Sequence, residues 1–205
     1  MTGRIITVRH GKPDLSRAVK ITAREYGDWW QRYDESGLQP DERPTQLLID
    51  LGASMKTVVS SSLPRAIETA QLITQGKREI PADPVFVEAP LPPPPVPLIK
   101  LRPGSWGVIS RSFWFSGYAP GNVESHFDTW GRVREVTKRL AAYAQDGDVM
   151  LCAHGYLNWM IDQQLRKESW ARVNRYGGNK HWSWREYHPS GSSDIDTAKS
   201  VESPS

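Results

Sequence analysis

Short apolar runs alternate along the chain with stripes at helical spacing. Residues 3–8, ending in the short, mostly apolar run Ile5-Ile6-Thr7-Val8, have the pattern of a strand covered on both faces. Lys56-Thr57-Val58-Val59, Pro84-Val85-Phe86-Val87 and Asp148-Val149-Met150-Leu151-Cys152-Ala153 predict three more strands. Between the runs, Thr22 and Glu25 have the spacing of a capping box and open a helix through Trp29, Trp30 and Tyr33 to Gly37. Leu47, Leu48 and Leu51 predict a second, short helix, and Ala66, Ile67, Ala70 and Ile73 a third. The longest stripe covers 123–144, with Phe127, Trp130, Val133, Val136 and Leu140, and Gly147 stops it. Leu157, Met160, Ile161 and Leu165 predict a helix after the last central strand. Trp182, Trp184 and Tyr187 alternate with Ser183, Arg185 and Glu186 as a late strand. This order predicts an α/β fold: one three-layer α/β/α sandwich over residues 1–188 with a mainly parallel central sheet.

Two stretches interrupt the pattern. Residues 90–97 contain six prolines, which no helix or central strand tolerates, so the segment is expected to be extended. It reads as a rigid connector rather than an exposed ligand for a proline-binding module. Residues 98–118 interleave Leu98, Ile99, Trp106, Phe113, Trp114 and Phe115 with Lys100, Arg102 and Arg111. The 90–118 region is expected to form a lid or substrate-shaping insertion; contact of 98–118 with a membrane surface is the less favoured reading. From Pro189 to the end the chain is rich in Ser, Asp and Lys and is expected to be a disordered tail.

Composition narrows the function. The 205 residues carry 26 basic and 23 acidic side chains, a net charge of +3. That excess does not point to nucleic acid and suits an anionic small-molecule substrate. The single Cys152 excludes an intrachain disulfide and a multi-cysteine zinc site, and it reads as a buried thiol. No apolar stretch approaches the roughly 18 residues of a membrane span. No signal peptide is visible either, so a cytoplasmic location is expected.

The chemistry gathers at strand ends, where open α/β sheets bind their ligands. Arg9-His10-Gly11 closes the first strand, and Ala153-His154-Gly155 closes a later one. Were these strands neighbours, about 4.8 Å apart, both imidazoles would face one crevice. The third strand end, Ser60-Ser61-Ser62, leads to Arg65 in the first turn of a helix. A cation there opposes the helix dipole, which suggests an external anion as its partner. Arg9, Arg65, His10 and His154 together suit a phosphoryl group. Gly11 leaves room for a ligand to approach the backbone. No glycine-rich nucleotide loop is present. His126, His181, His188 and the nine tryptophans receive no catalytic role.

Arg-His-Gly at 9–11, Ser-Ser-x-x-x-Arg-Ala-x-x-Thr-Ala at 60–70 and His-Gly at 154–155 are in the order and spacing of a known family. Over roughly residues 3–187 the sequence resembles the histidine phosphatase superfamily, which includes the phosphoglycerate mutases. The resemblance implies a phosphoglycerate mutase-like fold and a phosphomonoesterase acting through a phosphohistidine at His10. Arg9, Arg65 and His154 would hold the phosphoryl oxygens, and no metal or cofactor would be needed. Glu88 is the match for the carboxylate that protonates the leaving oxygen and then activates water, and Asp14 is a fallback. Many members place this acid a few residues later, where Leu91-Pro92-Pro93 stands here. Ser16 is near a position often held by asparagine, and Lys12 replaces a frequent glutamate. With Gly11 and Arg102, these two are the candidate substrate-binding residues. The alternatives are a mutase-type phosphotransferase and a non-catalytic phospho-ligand-binding adaptor.

Overall fold

In the computed structural model, which describes residues 2–191, six strands build one sheet. They are β1 (Ile5–Arg9), β2 (Thr57–Ser61), β3 (Ala82–Asp83), β4 (Val149–Ala153), β5 (Trp170–Tyr176) and β6 (Trp184–Pro189). The spatial order is β3-β2-β4-β1-β6-β5. The first four are parallel; β6 and β5 extend the sheet antiparallel. The helices are α1 (Ala23–Glu35), α2 (Gln46–Ser54), α3 (Pro64–Ile73), α4 (Pro103–Phe115), α5 (His126–Gln145) and α6 (Gly155–Lys167).

The continuous apolar runs are explained by a sheet with two covered faces. Successive residues of a strand point to opposite faces, so each run feeds two cores. Ile5, Val59, Val149 and Leu151 pack with Val136 and Leu140 of α5 and Leu157 and Ile161 of α6. Ile6, Val8, Val58 and Met150 pack on the other side with Leu48 of α2 and Ala70 and Ile73 of α3. Cys152 belongs to this second core, and burial pushes its thiol pKa up. A third cluster joins α1 to α4 through Tyr26, Trp29, Tyr33 and Trp106.

The structure differs from the sequence reading in several local details. Residues 84–87 are not a strand: the strand is the preceding pair, Ala82–Asp83, and Pro84–Phe86 is a 3₁₀ turn. Proline lacks a ladder N–H, and the Asp83 carboxylate accepts from Val85 N at 2.8 Å, which favours the turn. Strand β5, Trp-Ala-Arg-Val-Asn-Arg-Tyr, has no apolar face long enough to announce it and is largely exposed at the sheet edge. The late strand starts at Trp184, because Trp182 has φ 61° and turns the chain. Residues 103–115 of the lid region form a regular helix, α4. The proline segment forms no helix or strand and is tied to α4: Ser110 Oγ donates to the Pro92 carbonyl, and Arg111 donates to Pro90 O and Ala89 O at 3.1 and 3.2 Å. Strand β6 runs to Pro189, one residue into the expected tail, and residues 192–205 of that tail lie outside the described residues.

Candidate active site

Strands β1 and β4 are parallel neighbours with Arg9 opposite Ala153, so the two His-Gly ends lie side by side. The rings of His10 and His154 are 5.2 Å apart. His10 Nδ1 is 2.7 Å from the Gly11 carbonyl. A carbonyl only accepts, so Nδ1 carries the proton and Nε2 keeps its lone pair. Burial, and then the positive charges of Arg65 and Arg9, hold the His10 pKa well below its usual value. The neutral, nucleophilic form is therefore the stable one. His154 is fully buried and subject to the same influences. Its Nε2 is 2.8 Å from Ser61 Oγ at the end of β2, while its Nδ1 has no partner.

Arg65 enters from the first turn of α3. It is fully buried, donates to Tyr33 O at 2.7 Å and to Asp34 Oδ1 at 3.0 Å, and lies under the Tyr33 ring at 4.5 Å. The expected mismatch with the helix dipole is thus partly met from inside the fold, with Nε left unpaired. Thr69, one turn along α3, accepts from Gly11 N at 3.0 Å and donates to Arg65 O at 2.6 Å. This one hydroxyl locks α3 to the loop after β1. Arg9 donates to the Asn179 carbonyl, and its Nε is also buried without a partner.

Glu88 follows the 3₁₀ turn. Its carboxylate accepts from Tyr156 N at 3.0 Å and Leu157 N at 2.7 Å, the free donors at the start of α6. It lines the same cleft as Arg9, His10 and Arg65, which encloses about 660 Å³. The sequence matches a protein-family model, histidine phosphatase superfamily (branch 1), over residues 5–194. The chain belongs to the histidine phosphatase superfamily.

Solved structures of this fold agree with that membership. Mycobacterial glucosyl-3-phosphoglycerate phosphatase is 20% identical with a TM-score of 0.56, covering 91% of this chain and 90% of its own. Mycobacterial hydrolase 1 is 22% identical with a TM-score of 0.60, covering 95% and 94%. YhfR of Bacillus stearothermophilus is 20% identical with a TM-score of 0.54, covering 80% of each chain. No functionally curated protein matches the sequence significantly.

The four candidate substrate-binding residues of this superfamily member are not in the cleft lining. A Cβ at Gly11 would lie 2.5 Å from the Trp182 ring, so this glycine makes room for tryptophan rather than ligand. Lys12 and Ser16 are exposed; Lys12 N donates to Glu42 Oε2, and Ser16 Oγ accepts from Ala18 N. Arg102 is the exposed N-cap residue of α4. Asp14 is exposed and likewise outside the lining. Of the three cations considered in the lid region, only Arg111 reaches the cleft, where it lies 4.0 Å from the centre of the Tyr156 ring.

Sequence reasoning passed over Arg17, Asn158 and Arg185, which line the cleft. It also set aside His181, whose ring is 5.6 Å from that of His10 and whose pKa is lowered to about 4, chiefly by burial and then by Arg9. Arg185 could have been found. A charged residue on a strand next to β1 cannot point to solvent if both sheet faces are covered.

Proposed function

We propose that the protein is a phosphomonoesterase that works through a phosphohistidine at His10. The observation that carries the reading is the His10 ring: Nδ1 is tied to a carbonyl, so Nε2 presents a lone pair in a cleft lined by guanidinium groups, with one carboxylate in the same wall. In the first displacement, Nε2 attacks phosphorus and the ester P–O bond breaks. Glu88 gives its proton to the leaving alkoxide. In the second, Glu88 takes a proton from water, the resulting hydroxide attacks phosphorus, and the P–N bond breaks to release inorganic phosphate. Arg9 and Arg65 offset the charge on the phosphoryl oxygens throughout. His154, hydrogen-bonded to Ser61, adds a polar group beside them.

The substrate side of the cleft is aromatic. Tyr26, Trp30, Phe115 and Trp159 line it together with the phosphate-facing cations. This supports a small phosphorylated organic molecule as substrate, a class that also covers the compound named for the glucosyl-3-phosphoglycerate phosphatase. The test is phosphate release from an aryl phosphate. The purified protein should turn over without added metal, and His10→Ala should abolish the reaction. Near-normal turnover by His10→Ala would remove the proposed nucleophile.

A further inference from the structure

The charge in the cleft exceeds what one phosphoryl group requires. Five guanidinium groups, those of Arg9, Arg17, Arg65, Arg111 and Arg185, face the single carboxylate of Glu88. A phosphoryl group brings about two negative charges, which Arg9 and Arg65 face together, Arg65 being already paired with Asp34 at 3.0 Å. Arg111 is electrostatically coupled to Glu88. Arg17 is exposed and bonded to the Tyr33 hydroxyl. Arg185 has no ion-pair partner among the described residues.

Arg185 lies on β6 directly opposite Thr7 of β1 and is only 8% exposed. Its Nε is buried and unpartnered, and its guanidinium makes no hydrogen bond or ion pair among the described residues. An arginine cannot shed its charge; here Nε is enclosed without a partner while the rest of the fork opens to the cleft. Arg9, a cation, adds repulsion. In the same lining Asn158 of α6 is 1% exposed, with its amide oxygen also unpartnered. The shortfall at Arg185 is relieved when an anionic group enters the cleft; the Asn158 amide oxygen, an acceptor, calls instead for a donor such as a substrate hydroxyl.

We infer that Arg185 forms a second anion subsite. The substrate is then a phosphate monoester whose leaving alcohol carries another anionic group, a carboxylate or a second phosphate. This rests on the phosphatase reading for the location of the first phosphate.

Calorimetric titration of the full-length protein with unreactive probes separates the two ideas. Methylphosphonate and inorganic phosphate report the first site. Phosphonoacetate and 3-phosphonopropionate add a carboxylate, and methylenediphosphonate adds a second phosphonate. At least one two-anion probe should bind roughly tenfold tighter than methylphosphonate, the size of one charge-assisted hydrogen bond. Which probe gains identifies the second group. Arg185→Gln should bring that ratio close to one, and Arg185→Lys, which keeps the charge without the fork, should lower it severalfold. Equal binding of one-anion and two-anion probes to the unaltered protein overturns the inference without any variant. So does an Arg185→Gln protein that is folded by circular dichroism and keeps the ratio, or that loses methylphosphonate as strongly as the two-anion probes. Failure of inorganic phosphate and methylphosphonate to bind at all would instead strike the phosphatase reading, and the subsite with it.

Discussion

Gly155 shows how closely the backbone is fitted to the site. It opens α6 directly after His154, and a Cβ placed on it would lie 3.1 Å from Arg9 Nε and 3.2 Å from Arg9 Cζ. The glycine is needed for the cation packed against it, whose Nε is already enclosed. Gly155→Ala should therefore fold normally, since alanine suits the first turn of a helix, yet displace the guanidinium by a few tenths of an ångström. We expect kcat for an aryl phosphate to fall at least about tenfold, because small misplacements of a positioning group are costly. Wild-type kcat in this variant would mean that Arg9 does not act on the phosphoryl group. At this scale the sequence was most informative where a residue type has few bland uses, as in two His-Gly strand ends. It was least informative for Gly11, Lys12, Ser16 and Arg102. The contacts of Gly11 and Lys12 depend on where Trp182 and Glu42 come to rest, which no local pattern encodes, while Ser16 Oγ turns back to Ala18 N and Arg102 is the N-cap residue of α4.

Among the elements, α4 gives the cleft its aromatic wall and holds the proline segment in place. Its anchor is Trp106, fully buried among Tyr26, Trp29 and Tyr33, with its Nε1 donating to Ile21 O at 2.7 Å. Trp106→Ala should cost about 3–5 kcal/mol in urea unfolding, the usual range for a large buried aromatic. If the protein stays folded, KM should rise more than kcat falls, since the loosened helix lines the substrate side. A loss below about 1 kcal/mol would show that α4 is not anchored there. The central strands and α1, α2, α3, α5 and α6 were legible because burial on fixed faces imposes period and run length. The helix in 98–118 was hidden because its apolar residues meet different neighbours on several sides: α1, the proline segment, and the His126 and Tyr156 rings. Strand β5 was hidden because an exposed edge imposes no pattern.

Over the whole molecule, three buried or half-buried imidazoles set the acid limit of the fold. His10, His154 and His181 all bind protons more weakly in the folded chain than their usual value near 6.5. As pH falls below that value the unfolded chain takes up protons that the native state refuses, so stability is lost toward acid. For His181 the loss runs from about 6.5 down to about 4. Melting temperature at constant ionic strength should be level near pH 7–8 and decline from pH 6.5 to 5, and His181→Asn should flatten part of the slope. A melting temperature that rises on acidification would contradict this. Bound phosphate should oppose the decline by mass action. The same depressed values keep His10 unprotonated, the form the proposed attack requires, below the ordinary range of histidine.

The proposed function rests on one covalent event at His10 Nε2. It is tested most directly by rapid mixing with an aryl phosphate, quenching in alkali, and measuring the intact mass of the wild-type and Glu88→Gln proteins. Glu88→Gln should slow turnover about 10²–10⁴-fold and so let the intermediate accumulate. The account predicts a single added phosphoryl group that is stable in alkali, lost in acid, located by fragmentation on His10 and absent from His10→Ala. Phosphate release with no adduct in either protein, or an adduct that persists in His10→Ala, would contradict it.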